Sequence, residues 1–165
     1  MLYLVTSLSH ITYYIVWRHT NNYIKFCKYI KCNPHKLLYK FFIIQKIFQF
    51  YFIYKYSQEN NRLYNYFSNL NYFTILKLFI IIFGQSLNIA VYNKLGFSGV
   101  YYGNKLGLKT IWVYTYPYNI FSNPQYLGCV LTLCGMYGII DLPYILYSSL
   151  LYYITITIES TDYIN

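Results

Sequence analysis

Acid is what this chain has least of. Its 165 residues carry four carboxylates, Glu59, Asp141, Glu159 and Asp162, against 13 Lys and Arg, for a net charge of +9. Charged residues make up only 10% and hydrophobic residues 57%; a soluble domain carries roughly 25% charge. So little charge excludes an ordinary water-facing surface and argues for an integral membrane protein, of a length that makes one domain. Cysteine is scarce too. Cys27/Cys32 and Cys129/Cys134 form two pairs, each five residues apart. That is no zinc spacing, and on a helix positions i and i+5 diverge, so the reading is free thiols and no metal. The positive balance does not point to nucleic acid, which needs a basic patch on a soluble fold. Here Lys and Arg cluster between apolar runs, where the positive-inside rule and anionic lipid headgroups account for them.

Aromatic residues are abundant, with 25 Tyr and 12 Phe. Tyr, Phe, Ile, Asn and Lys all come from A/T-rich codons, so no single tyrosine carries weight for being a tyrosine. Residues 2–17 are apolar but short and interrupted by Thr, Ser and His10. Without a basic segment before or a cleavage site after, they read as a short N-terminal membrane-associated segment, lying partly in the membrane or forming a marginal span. Residues 18–40 are basic (Arg18, Lys25, Lys28, Lys31, Lys36, Lys40), and Asn33-Pro34 starts the next helix. Spans are expected at about 41–56, 72–92, 126–140 and 144–158, giving an all-α protein with about four transmembrane helices. Gln45, Lys46 and Gln49 in the first span need protein or water on one face. Residues 57–71 are a polar loop, and Asp141-Leu-Pro143 turns the last two spans into a hairpin. This layout leaves nine Lys/Arg on the side of residues 1–40 and 93–124 and only Lys55 and Arg62 opposite, which makes the first side cytosolic.

The stretch from Leu95 to Gly128 organises the rest. It holds five of the eight glycines and two of the four prolines, residues that allow close backbone approach and fix turns. The span before it carries Gly84, Gln85, Ser86 and Asn88, either a helix-packing face or a notch for a ligand. The fold returns Glu159 to this loop's side of the membrane.

LGFSGVYYGNKLG and VYTYPYNIFSNPQYLG, with Trp17-Arg-His-Thr20 as a weaker match, resemble the phosphatidylethanolamine N-methyltransferase (phospholipid methyltransferase) family, over about Trp17 to Tyr163. The resemblance implies a multi-span endoplasmic-reticulum enzyme that transfers methyl groups from S-adenosylmethionine to phosphatidylethanolamine and its mono- and dimethyl forms. It places the cofactor's G-x-G on Ile82-Phe83-Gly84, where only the second glycine remains. The family's Glu pair falls on Glu159-Ser160, where one carboxylate remains. Asn123, Pro124, Tyr126 and Gly128 match an N-P-x-Y-x-G element that is similar to a cofactor-contacting element of isoprenylcysteine carboxyl methyltransferases. Tyr101, Tyr102, Tyr116 and Tyr118 are candidates to hold methylated, cationic headgroups, since aromatic faces attract cations. The sequence offers no base for the substrate amine. The alternatives are a related membrane methyltransferase with another acceptor and a non-catalytic, lipid-binding descendant.

Overall fold

A computed structural model describes residues 1–111 and 113–160, apart from the side chain of Asn60. Trp112 and the last three positions of the resemblance, 161–163, lie outside the described residues. The described chain is all-helical: α1 Leu2–Arg18, α2 Thr20–Tyr29, α3 Pro34–Gln58, α4 Arg62–Ser68, α5 Tyr72–Val100, α6 Pro124–Gly135 and α7 Leu142–Ser160. Local chemistry sets the helix starts. The Asn33 side chain accepts from the Lys36 N–H (2.9 Å) ahead of Pro34, and Asn71 does the same for Thr74 (3.0 Å). Asparagine caps and a first-turn proline satisfy or remove the free N–H groups there. Pro124 opens α6 in the same position.

Several boundaries differ from those expected. The first span begins at Pro34, because Pro34 starts the helix directly, and runs to Gln58. The 57–71 stretch is a 3₁₀ turn, Glu59–Asn61, followed by α4, whose Tyr66 is buried and donates to the Gly135 carbonyl (2.8 Å). The 72–92 span continues to Val100, with a break at Gly96 where φ is +62°, so the first part of the glycine-rich stretch is helix. α6 stops at Gly135, short of 140, and Met136–Asp141 form a turn at whose end the Asp141 carbonyl accepts from the Tyr144 and Ile145 N–H groups (3.1 and 3.2 Å). The cysteines are free thiols.

Residues 2–17 are more closely integrated than their sequence suggests. They form a helix of about 25 Å, which packs along α7 and α3 within the bundle. The residues that interrupt its apolar character are the reason. Thr6 is bonded to Tyr144 (2.7 Å), Ser7 to Tyr147, and His10 Nδ1 to Thr155 Oγ1 (2.7 Å). From α3, Gln45 donates to the Val5 carbonyl (2.7 Å) and Gln49 to the Tyr144 hydroxyl (3.1 Å). Gln45 and Gln49 are buried, as the need for a sheltered face required. Interhelical bonds of this kind contribute about 0.6 kcal/mol each in a membrane.

The surface has the opposite character. Ile43, Ile44, Ile47 and Phe48 of α3, Phe73, Phe79 and Ile82 of α5, and Leu146, Leu150 and Tyr153 of α7 are all exposed. Polar groups inside and apolar groups outside suit a lipid surround. Among the described helices, α5 is long and apolar enough to cross a membrane.

α5 and α6 are the most closely packed pair. A Cβ on Gly84 would stand 2.6 Å from the Gly128 carbonyl oxygen, and one on Gly128 would stand 2.5 Å from that of Gly84. Gln85 donates to Thr132 Oγ1 (2.8 Å) beside this crossing. The two backbones touch, as small residues permit between membrane helices. At the end of the bundle remote from the glycine-rich loop, Tyr56 and Arg62 both donate to Asp141. Those two bonds hold the Asp141 carboxyl below its ordinary value.

Gly128→Leu therefore forces α5 from α6. Overpacking costs about 1–3 kcal/mol, so the melting temperature of the detergent-solubilised protein should fall measurably. A midpoint equal to wild type would show that the backbones are not in contact at this crossing.

Candidate active site

The glycine-rich stretch closes over the end of α7 and leaves a cavity of about 410 Å³. Its walls come from the end of α1 (Trp17), the end of α5 and its loop (Val100, Tyr102, Asn104), the start of α6 (Asn123, Pro124, Tyr126) and Glu159 of α7. The loop turns tightly to reach this position. Gly103 N–H donates to the Ser98 carbonyl (2.7 Å) and Leu108 N–H to that of Gly103 (2.7 Å). Gly107 takes φ +82° at the end of this turn, a conformation that costs glycine nothing.

Tyr102 has φ +55°, a left-handed conformation that is uncommon for a residue with a side chain and costs of order 1 kcal/mol or more. It sets the ring against Trp17 (centroids 5.1 Å apart) and Tyr13 (5.4 Å). The Tyr102 hydroxyl donates to Glu159 Oε1. Tyr126 donates to the same oxygen at 2.5 Å. Two tyrosines from different parts of the chain thus hold one carboxylate at the cavity wall.

Glu159 lies one residue beyond the 144–158 stretch. Burial pushes its carboxyl above 4.5, against the two hydroxyl bonds, which favour the charged form. Burial also raises Tyr102 well above 10 and Tyr118 to about 12. Both hydroxyls therefore remain protonated donors at neutral pH. Trp17 is buried, and its indole N–H has no acceptor among the described residues. Lys105 Nζ stands 4.2 Å over the Trp17 ring. A cavity of this size lies within the range of small-molecule sites, about 300–1,000 Å³.

The structure gathers part of the expected set. Asn123, Pro124, Tyr126, Glu159, Tyr102 and Tyr118 line the cavity. Gly84 and Gly128 lie at the α5–α6 crossing, so of the two readings of Gly84 the packing one describes its place. Ile82 and Phe83 face outward at 65% and 46% exposure, on the side of α5 away from α6. Ser160 is exposed and donates to the Thr157 carbonyl. Tyr101 is bonded to Tyr92 (2.8 Å) within an aromatic cluster, and Tyr116 is exposed; neither lines the cavity. Sequence reasoning gave Trp17 only a place in a weak motif. A tryptophan at the junction of an apolar run and a basic run was the available signal.

The family model for phospholipid methyltransferases matches residues 72–162, which contain the loop, both glycines of the crossing and Glu159. The chain belongs to this family. Over 83 residues it is 36% identical to the phosphatidyl-N-methylethanolamine N-methyltransferase of Arabidopsis thaliana, covering 50% of this chain and 51% of that protein. The chain thus spans about half the length of the curated relative it matches. No solved structure matches it. Phospholipid methyltransferases are membrane enzymes, which agrees with the apolar exterior.

The raised Glu159 value gives a pH dependence whose sign is fixed. The folded protein holds this proton more tightly than the unfolded chain does. The resulting stability is full below 4.5 and is lost as pH rises through the higher folded value. The melting temperature of wild type relative to Glu159→Gln should therefore fall between pH 4 and neutrality. A difference that stays flat over that range would show that Glu159 titrates as an ordinary carboxyl.

Proposed function

We propose that this protein uses S-adenosylmethionine to N-methylate phosphatidylethanolamine and its mono- and dimethyl forms, toward phosphatidylcholine. The observation that carries the reading is the half-buried carboxylate of Glu159, held by Tyr102 and Tyr126 at a cavity roofed by the family's loop.

The reaction needs alignment and dryness more than acid–base machinery. S-adenosylmethionine supplies a methyl group on a sulfonium, ready for in-line displacement by an amine. Glu159 would accept hydrogen bonds from the donor's ribose hydroxyls or pair with its ammonium. Asn123, Pro124 and Tyr126 form the adjoining wall. Gly84 and Gly128 contribute indirectly, by bringing α5 and α6 close enough for that wall to stand next to α7. The rings of Tyr102 and Tyr118 face the lipid amine and its methylated products. Water exclusion by the loop and by Trp17 favours attack over hydration of the amine, and correct placement supplies most of the acceleration. Ile82, Phe83 and Ser160, which match the positions of family cofactor motifs, have no contact role in this reading.

Expression in cells that lack phospholipid methylation, followed by headgroup analysis, tests the assignment. Wild type should restore mono-, di- or trimethylated lipid, and none in any amount would exclude the activity. A charged hydrogen bond to a ligand contributes about 1.5–3 kcal/mol, so Glu159→Gln should weaken S-adenosylmethionine binding about ten- to a hundred-fold in detergent. An unchanged dissociation constant would remove Glu159 from the cofactor site.

In the endoplasmic-reticulum membrane, the same reading has α3, α5, α7 and α6 together with the turn that follows it crossing the bilayer, with α1 beside them at the same depth. The loop and cavity then face the cytosol with the basic residues. Glycosylation acceptors inserted near Lys109 and within Arg62–Ser68 check this: modification is expected in Arg62–Ser68 only. Modification near Lys109 alone would invert the arrangement.

A further inference from the structure

α3 carries three polar side chains near its middle, and the fold shelters two of them. Gln45 and Gln49 are buried and bonded to α1 and α7. Lys46, next to Gln45 in the chain, is exposed, on a surface with Ile43, Ile47 and Phe50, which are exposed too. It stands midway between Pro34 and Gln58, the ends of α3, about 18 Å from either. Its ammonium donates to the Gln49 side-chain oxygen (3.0 Å), toward the Gln58 end. A helical side chain ordinarily leans toward the N-terminus, here the end with Lys36, Lys40 and the headgroups; this one is turned away from them. A neutral amide leaves the charge uncompensated, and a cation at the bilayer centre costs about 2.5–3.5 kcal/mol or more unless it is paired. This chain has no carboxylate at that depth to offer. Glu59 directly follows α3, Asp141 directly precedes α7, and Glu159 is the last residue but one of α7. Asp162 comes later still in the sequence. A second copy lacks a partner for the same reason, and a two-fold contact through this face would set lysine against lysine.

We propose that the exposed face of α3 around Lys46 docks a transmembrane helix of another protein, one that carries a glutamate or aspartate near the middle of its span. The partner's carboxylate pairs with the Lys46 ammonium, and Ile43, Ile47 and Phe50 pack around the pair. Gln49, which also donates to the Tyr144 hydroxyl, holds the ammonium from behind. Lys46 lies outside the cavity, so the partner joins the bundle without entering the site. The proposal rests on the layout in which α3 crosses the bilayer, and not on methyl transfer.

The test reconstitutes the full chain, labelled with a donor dye, into phosphatidylcholine vesicles. The probes are acceptor-labelled, leucine-rich peptides of about 21 residues, long enough to cross a ~30 Å core, with Glu, Gln or Leu at the centre. Energy transfer to the Glu peptide should begin at a peptide-to-lipid ratio about ten-fold lower than for the Leu peptide, the scale of one polar contact between model membrane helices. The Gln peptide should fall between them. Lys46→Met should abolish the preference, and Lys46→Glu should transfer it to a peptide with a central lysine. A Glu peptide that associates no better than the Gln peptide, or an unchanged preference in Lys46→Met, overturns the docking face. In native membranes opened with a mild detergent, wild type should run in a larger complex than Lys46→Met. Equal masses, or a wild-type complex made only of copies of this chain, also overturn it. Depth is read separately: a fluorophore on Lys46→Cys should be quenched best by groups near the acyl-chain ends. Best quenching at headgroup level would remove the layout and the docking face with it. Lys46→Met should change S-adenosylmethionine affinity less than two-fold. The methyltransferase reading fails by a different result, the absence of S-adenosylmethionine binding to wild type.

Discussion

The contact between the Gly84 and Gly128 backbones is the constraint on which the rest of the molecule depends. Because neither residue has a side chain, α5 and α6 meet without a spacer, and the 23 residues that join them must be accommodated at one end. There they fold over the end of α7 and bring Tyr102 to Glu159. Wider separation of α5 and α6 would draw Tyr126 away from the carboxylate that it shares with Tyr102. Packing and chemistry are therefore continuous here: the crossing sets a distance, and the site uses it.

A second set of forces acts between α1, α3 and α7. There, hydroxyls, two glutamines and a histidine meet inside the bundle, while isoleucine, leucine and phenylalanine face out. In a lipid surround, apolar side chains gain little by turning inward, so polar pairs and close packing decide which helices associate. The Tyr56–Asp141–Arg62 contact closes the far end in a similar way. The two ends of the bundle differ accordingly. One is fastened by an ion pair, and the other surrounds a cavity.

Much of this was legible in the sequence, for physical reasons that differ from residue to residue. The α5 segment announced itself because a long apolar run needs no partner to be recognised. Asn33-Pro34 and Asn71 marked helix starts by local hydrogen bonding alone, and Glu159 could be brought to the loop simply by counting crossings. The role of α1 was hidden because Thr6, Ser7 and His10 lower its hydrophobicity, and only their partners on α7 and α3 turn that deficit into an attachment. Ile82 and Phe83 were assigned by register within a motif, but register does not determine which side of a helix a cavity occupies. Nothing in the sequence distinguishes Tyr101 from Tyr102. A left-handed backbone at Tyr102 sends one ring to the cavity and leaves its neighbour in the aromatic cluster.

Trp17 lies 55 positions before the first residue of the family-matched stretch, yet it forms part of the same cavity. The stretch that carries the family's pattern is consequently not a self-sufficient unit in this chain. Without α1, the hydroxyls of Tyr144, Tyr147 and Thr155 would face outward with no interhelical partner from that helix, and the cavity would open on one side. The chamber is shared between residues 72–162, which the family model matches, and α1, which lies before them. A change in α1 therefore reshapes the cavity while residues 72–162 keep the pattern that the family model matches.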